Sequence, residues 1–298
     1  MDWVREGDVF TPGLPGTPDG LRALRPWVVE EDNGTLRMWY SAHDGTNSRI
    51  LAAIRQPGGT PGGASDGTWE RLGVAVDAGL AGESDQYGVE SPCVVRTPGG
   101  YLMAYAGFDG EATRLHMATS EDGYAWTAQG TIMQRGSEDV LAASHPCLLH
   151  TGAGWWLFFS GYDGSQDSRH AAILAAVSPT GASWDRVGTV LEPTTSEVAI
   201  SHPCVLLIAR TFYMFYASDD GGRIAIAMAT SADGMAWDRH GIVLEASGDS
   251  LEAGGVHSPC VVRRRDGSLH LWYAGLAGDD TGLAFRICSA GFPDPSSI

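Results

Sequence analysis

The chain has 298 residues, 43% hydrophobic and 18% charged, with 40 glycines. That is enough for one large domain or two ordinary ones, and too apolar and aromatic for a disordered chain. The formal charge is −17 and all 19 basic residues are arginine, a surface that repels phosphate backbones and argues against a nucleic-acid partner.

No apolar run reaches the roughly 18 residues of a membrane span. The start, MDWVREGDVF, lacks the basic segment and apolar stretch of a secretory signal. A cytoplasmic protein without a membrane partner is therefore expected.

Taken in chain order, the first predicted element is the strand that begins at Trp3. A Pro-centred apolar strand follows, LRPWVV at Pro26, and this element returns as ESPCVV at Pro92, SHPCLL at Pro146, SHPCVL at Pro203 and HSPCVV at Pro259. Each is followed by a turn and an aromatic-rich strand: LRMWYSA, YLMAYAG, WWLFFSG, FYMFYAS and LHLWYAG. An Asp-Gly turn then stands at Asp44, Asp109, Asp163 and Asp220, ahead of a small-residue strand such as LHMATS or IAMATS. Every repeat closes on a Trp followed four residues later by Gly, the pairs being Trp3/Gly7, Trp69/Gly73, Trp126/Gly130, Trp184/Gly188 and Trp237/Gly241.

Short β-branched and aromatic segments punctuated by Gly/Asp turns predict four antiparallel strands per repeat. Four strands repeated five times predict an all-β, five-bladed β-propeller in which residues 1–298 form a single domain. The Trp series starts before the first Pro, so the N-terminal WVREGDVF is expected to be the outer strand that closes the fifth blade. Five cysteines at wide spacing fit neither a disulfide framework nor a zinc site. Cys93, Cys147, Cys204 and Cys260 occupy matching positions and are expected to be reduced and buried between blades.

Features shared by all repeats read as architecture, and residues that break the repetition read as chemistry. Next to the blade-opening prolines stand Arg25, Glu90, His145, His202 and His257. Successive strand residues point to opposite sides, so one residue of each pair preceding a Pro is expected to face the channel. Three histidines and a carboxylate converging on an axis could bind a divalent metal ion, hold sugar hydroxyls or shuttle protons. A second ring of acids precedes the prolines in the loops, at Asp19, Asp85, Asp139, Glu197 and Glu252. These acids suit either a turn or a substrate contact. The arginines Arg49, Arg114, Arg169 and Arg223 follow the Asp-Gly turns, and they suit either a local ion pair or a bound anion.

With its Pro strands, the turn-plus-Trp units TSEDGYAWTAQG and TSADGMAWDRHG, and strand ends of the type YAGFDG, the whole chain resembles the five-bladed propeller glycosidases. That group includes arabinanases, xylosidases, invertases and levansucrases. The resemblance implies a sugar or glycoside substrate in the central channel. It also implies that Glu90-Ser91-Pro92, which matches the group's Glu-x-Pro, supplies a general acid. The group's first-blade Asp-Pro is here Arg25-Pro26. Two-carboxylate hydrolysis needs a second acid roughly 5–10 Å away, for which Asp19, Asp85 and Asp139 are the loop candidates. Arg25, His145, His202, His257, Arg49 and Arg114 are the candidate substrate-binding residues, and the three histidines the candidate metal ligands. The leading expectation is a glycoside hydrolase or transglycosidase. The alternatives are a phosphorylase-like or metal-assisted sugar enzyme, and a carbohydrate-binding propeller without catalysis.

Overall fold

A computed structural model describes residues 2–57, 68–164, 170–248, 252–277 and 285–292. The described residues are all-β: twenty strands and no helix. After β1 (Val4–Phe10), a first antiparallel unit runs through β2 (Arg22–Glu30), β3 (Leu36–His43), β4 (Ser48–Arg55) and β5 (Glu70–Val76). The second comprises β6 (Gly88–Thr97), β7 (Gly100–Phe108), β8 (Thr113–Ser120) and β9 (Thr127–Thr131). The third comprises β10 (Ala142–Thr151), β11 (Gly154–Tyr162), β12 (Ala172–Ser178) and β13 (Asp185–Leu191). The fourth comprises β14 (Ala199–Ile208), β15 (Thr211–Asp219), β16 (Ile224–Ser231) and β17 (Asp238–Leu244). The last, β18 (Gly255–Arg263), β19 (Leu269–Leu276) and β20 (Phe285–Phe292), takes β1 as its fourth strand. Single parallel bridges, Ser48 to Gly88 and Thr113 to Ala142, join the first three units into one twelve-stranded sheet.

The pattern of side chains explains the layering. Second strands are apolar on both faces because neighbouring units pack on each side, and Trp39, Tyr40, Tyr105, Phe158, Phe215 and Trp272 are fully buried there. Outer strands carry the polar residues, and each bulges at its recurring glycine. Gly73, at φ 97°, and Gly241, at φ 82°, sit at such slips, where a Cβ would be strained.

The inner strands are tied to one another by the residue after each proline. Cys93 Sγ accepts from Leu148 N at 3.0 Å, and Cys147 Sγ accepts from Val205 N at 3.2 Å. Cys204 Sγ accepts from Val261 N, and Cys260 Sγ from Val28 N, each at 3.2 Å. In β2 the place of the cysteine is taken by Trp27, whose Nε1 donates to Val94 O at 2.7 Å. Trp27 also packs against all five apolar clusters of the core. All five cysteines are buried and outside any disulfide. Burial pushes the Cys260 thiol up to about 12, so these groups act as small apolar fillers and weak hydrogen-bond partners.

Candidate functional site

Each inner strand carries the same backbone irregularity. The residue before the proline is left-handed: Arg25 at φ 53°, Ser91 at 57°, His145 at 51°, His202 at 55° and Ser258 at 54°. None is glycine, and proline disfavours helical geometry in the residue before it, so each position holds strain of about 1–3 kcal/mol. The strand pairings slip at all five places, for example between Ser144 and Cys147. Two of the strained amides are held by serines of the preceding unit. Ser91 N donates to Ser41 Oγ at 2.8 Å, and His202 N donates to Ser160 Oγ at 3.0 Å.

This bulge corrects the expected strict alternation of side chains. Adjacent residues come together instead of pointing apart: Ser144 Oγ lies 2.7 Å from His145 Nδ1, Ser201 Oγ 2.8 Å from His202 Nδ1, and Ser258 Oγ 2.6 Å from His257 Nδ1. His257 stands one place earlier in its strand than His145 and His202, yet it joins the same cluster. The His145 and His202 ring centroids are 3.5 Å apart, and those of His202 and His257 are 5.2 Å apart. Glu90 forms an ion pair with Arg25 beside them. Trp27 and the inner-strand prolines line, with His145 and His202, a cavity of about 30 Å³, room for about one water molecule.

Electrostatics fix the protonation of the cluster. Burial, then Arg25, pushes His257 down to about 3. Burial, Arg25 and His257 hold His145 well below the usual imidazole range; burial and the two neighbouring histidines do the same for His202. All three rings are neutral at pH 7, which allows the close contact of His145 and His202. Their Nδ1 atoms are occupied by serines, while the buried Nε2 atoms of His145 and His202 have no hydrogen-bond partner. Among the described residues no group of three or more His, Cys, Asp or Glu side chains is placed to hold a metal ion. The cluster is built for hydrogen bonding.

Tyr162, at the end of β11, is a member that the sequence reading missed. Its hydroxyl stands near Ser144 and Ser201, which favour its ionised form, while burial, the larger effect, raises its pKa. The signal was available: the corresponding strand ends carry His43, Phe108, Tyr162, Asp219 and Leu276, different in every unit. Glu90 also lines a cavity of about 210 Å³ with Tyr87 and Phe108. These two rings are exposed and 6.5 Å apart, an apolar surface of the kind that a sugar face covers.

The loop acids are placed differently from the expectation that one of them partners Glu90. Asp19 is 1% exposed and accepts from Tyr40 Oη at 3.0 Å and Arg71 Nε at 2.8 Å. Asp139, fully buried, accepts from Arg186 Nη2 at 2.8 Å. Asp85 accepts from Tyr105 Oη at 3.0 Å. Glu197 and Glu252 are held in the same way by Arg239 and Arg5. These acids bind loops to sheets. Two of the turn arginines are likewise engaged: Arg49 pairs with Asp44 at 2.6 Å and Asp77 at 2.9 Å, and Arg114 pairs with Asp109. Arg169 lies outside the described residues.

No family model matches the chain. It is 24% identical to "Uncharacterized protein MT1551" of Mycobacterium tuberculosis, over 96% of this chain and 99% of that protein. Among solved structures it is similar to one described as a glycoside hydrolase, with a TM-score of 0.77 and 15% identity over 98% of this chain and 96% of the other. It is also similar to the β-1,2-mannobiose phosphorylase of Listeria innocua in complex with β-1,2-mannobiose, with a TM-score of 0.77 and 14% identity over 100% and 98% of the two chains. At these identities the likeness shows a shared all-β fold.

Proposed function

We propose that the protein is a carbohydrate-active enzyme that cleaves or transfers a glycosidic bond at the mouth of a closed five-bladed propeller. The cyclic Cys and Trp27 contacts between inner strands and the β1–β20 pairing support the ring. The observation that carries the function is the polar centre itself. Glu90, paired with Arg25, stands between the Tyr87–Phe108 cavity and a set of neutral imidazoles, two of which, His145 and His202, have Nε2 atoms without a hydrogen-bond partner. A sugar ring laid on the aromatic pair brings a glycosidic oxygen within reach of Glu90, the proton donor. His145 and His202 hold hydroxyl groups.

The acids at the loops are bound to Tyr and Arg side chains, which leaves Glu90 without a carboxylate partner among the five ring residues. This favours phosphorolysis over two-carboxylate hydrolysis. Inorganic phosphate takes the place of the second carboxylate as nucleophile, and a guanidinium such as Arg25 is the group that phosphate would engage. An anion on Arg25 releases Glu90 to act on the leaving oxygen. The test is turnover of a panel of manno- and gluco-disaccharides with and without phosphate, reading sugar 1-phosphate and free sugar separately. Glu90→Gln is expected to lower turnover by about two to four orders of magnitude, the usual worth of general acid catalysis, while sugar binding persists. Full activity of Glu90→Gln on a substrate with a poor leaving group would overturn the role of Glu90. Turnover independent of phosphate would return the reaction to hydrolysis or transfer.

A further inference from the structure

The five units share a second construction, and one of them lacks a part. In four units an arginine two residues after the outer-strand Trp crosses to the loop acid. Arg71 reaches Asp19, Arg186 reaches Asp139, Arg239 reaches Glu197 and Arg5 reaches Glu252. Each also donates to a main-chain carbonyl at the end of the preceding outer strand or just beyond it: Thr11, Gln134, Glu192 and Glu245. The register is the same throughout, since these arginines pair with Ala53, Ala176, Ala229 and Ala290 of the neighbouring strand. In the second unit the residue at that register, opposite Ala118, is Ala128.

The acid it would have met is retained. Asp85 is 7% exposed, and among the described residues its carboxylate accepts one hydrogen bond, from Tyr105, and makes no ion pair. His116 stands where the other units have Leu51, Leu174, Ala227 and Cys288, but it does not replace the missing charge. Its Nδ1 is 3.1 Å from Arg114 O, a carbonyl that requires an N–H donor, and its Nε2 is 2.8 Å from Ser84 Oγ. Burial holds its pKa below the usual imidazole value and favours the neutral ring. The space left open is a cavity of about 1000 Å³ lined by Asp85, Tyr105, His116 and Ala128, with Glu83, Glu111 and the Arg114–Asp109 ion pair on its walls. The cavity beside Arg239 in the fourth unit is about 510 Å³.

We propose that this cavity in the second unit binds an alkylguanidinium cation, which occupies the position that an arginine side chain fills in the other four units. Asp85 accepts its N–H groups in the fork geometry that carboxylates offer guanidinium. The site is separate from the Glu90–histidine centre, and it stands whether or not that centre is catalytic.

Methylguanidinium is the probe, titrated calorimetrically into the full-length protein against tetramethylammonium at equal ionic strength. Saturable binding is expected with methylguanidinium alone. Ala128→Arg places the missing side chain in the cavity and is expected to weaken methylguanidinium binding by about 10- to 100-fold, the worth of charged hydrogen bonds, while raising the melting temperature. Asp85→Asn is expected to weaken it similarly, and Ala128→Arg keeps the test open if Asp85→Asn does not fold. A capped arginine derivative binding more tightly than methylguanidinium would assign the cation to a peptide side chain, and equal binding to a free small molecule; either supports the site. Absence of saturable binding to the wild type, or undiminished binding to Ala128→Arg, would overturn it.

Discussion

The three buried histidines give the protein an acid sensitivity that can be worked out in advance. In the unfolded chain each imidazole titrates near 6.5; in the fold His257 is held at about 3, and His145 and His202 well below their ordinary value. Between pH 7 and pH 5 the unfolded chain therefore takes up protons that the folded chain refuses, and stability falls as pH falls. For one imidazole that stays neutral when folded, the loss over this interval is about 2 kcal/mol, and His145 and His202 add to it in the same direction. That is a large share of a typical stability of ~5–15 kcal/mol. Unfolded carboxylates remain ionised down to about pH 5, so they contribute little in this window. Denaturant unfolding at pH 7, 6 and 5 measures the slope, and His257→Asn, which keeps a partner for Ser258, removes one contributor. His116, also held low by burial, adds to the slope of both proteins and cancels in the comparison. The variant is expected to lose about 2 kcal/mol less than the wild type between pH 7 and pH 5. Equal slopes for the two proteins would refute the claim that His257 is neutral in the fold.

Three further outcomes follow from the packing. Trp27→Ala removes the side chain that packs against five apolar clusters, so a cost of about 3–5 kcal/mol is expected. Calorimetry would show this as a melting temperature lower by roughly 10 °C, and an unchanged value would remove Trp27 from the core. Deleting residues 1–12 takes β1 from β20 and exposes a sheet edge; a truncated protein that melts like the full chain would refute closure by the N-terminal strand. Arg186→Ala leaves the fully buried Asp139 without its cation, for an expected loss of about 3 kcal/mol, with partial recovery in Arg186→Lys as the control.

How much of this was legible depended on whether a feature repeats. The strand pattern was readable because each unit has to bury its own second strand, which writes the same aromatic run five times into the sequence. The residues beside the inner-strand prolines were readable because Arg25, Glu90 and the histidines differ at matching positions. Their pairing with serines was not, because it depends on a left-handed bulge that no residue type announces: Arg25, Ser91 and His145 adopt the same φ with unrelated side chains. The loop acids were ambiguous for the opposite reason. Their partners lie far away in sequence, Tyr40 being 21 residues from Asp19 and Arg71 being 52, so the recurrence alone could not separate a structural acid from a substrate contact. With the triads in view, the arginine two places after each outer-strand Trp becomes a readable signal. Its replacement by Ala128 then marks the second unit, just as Trp27 in place of cysteine marks the first. In a repeat protein, a residue missing from one copy is as informative as a residue added to it, because the other copies show what the vacant place is shaped to hold.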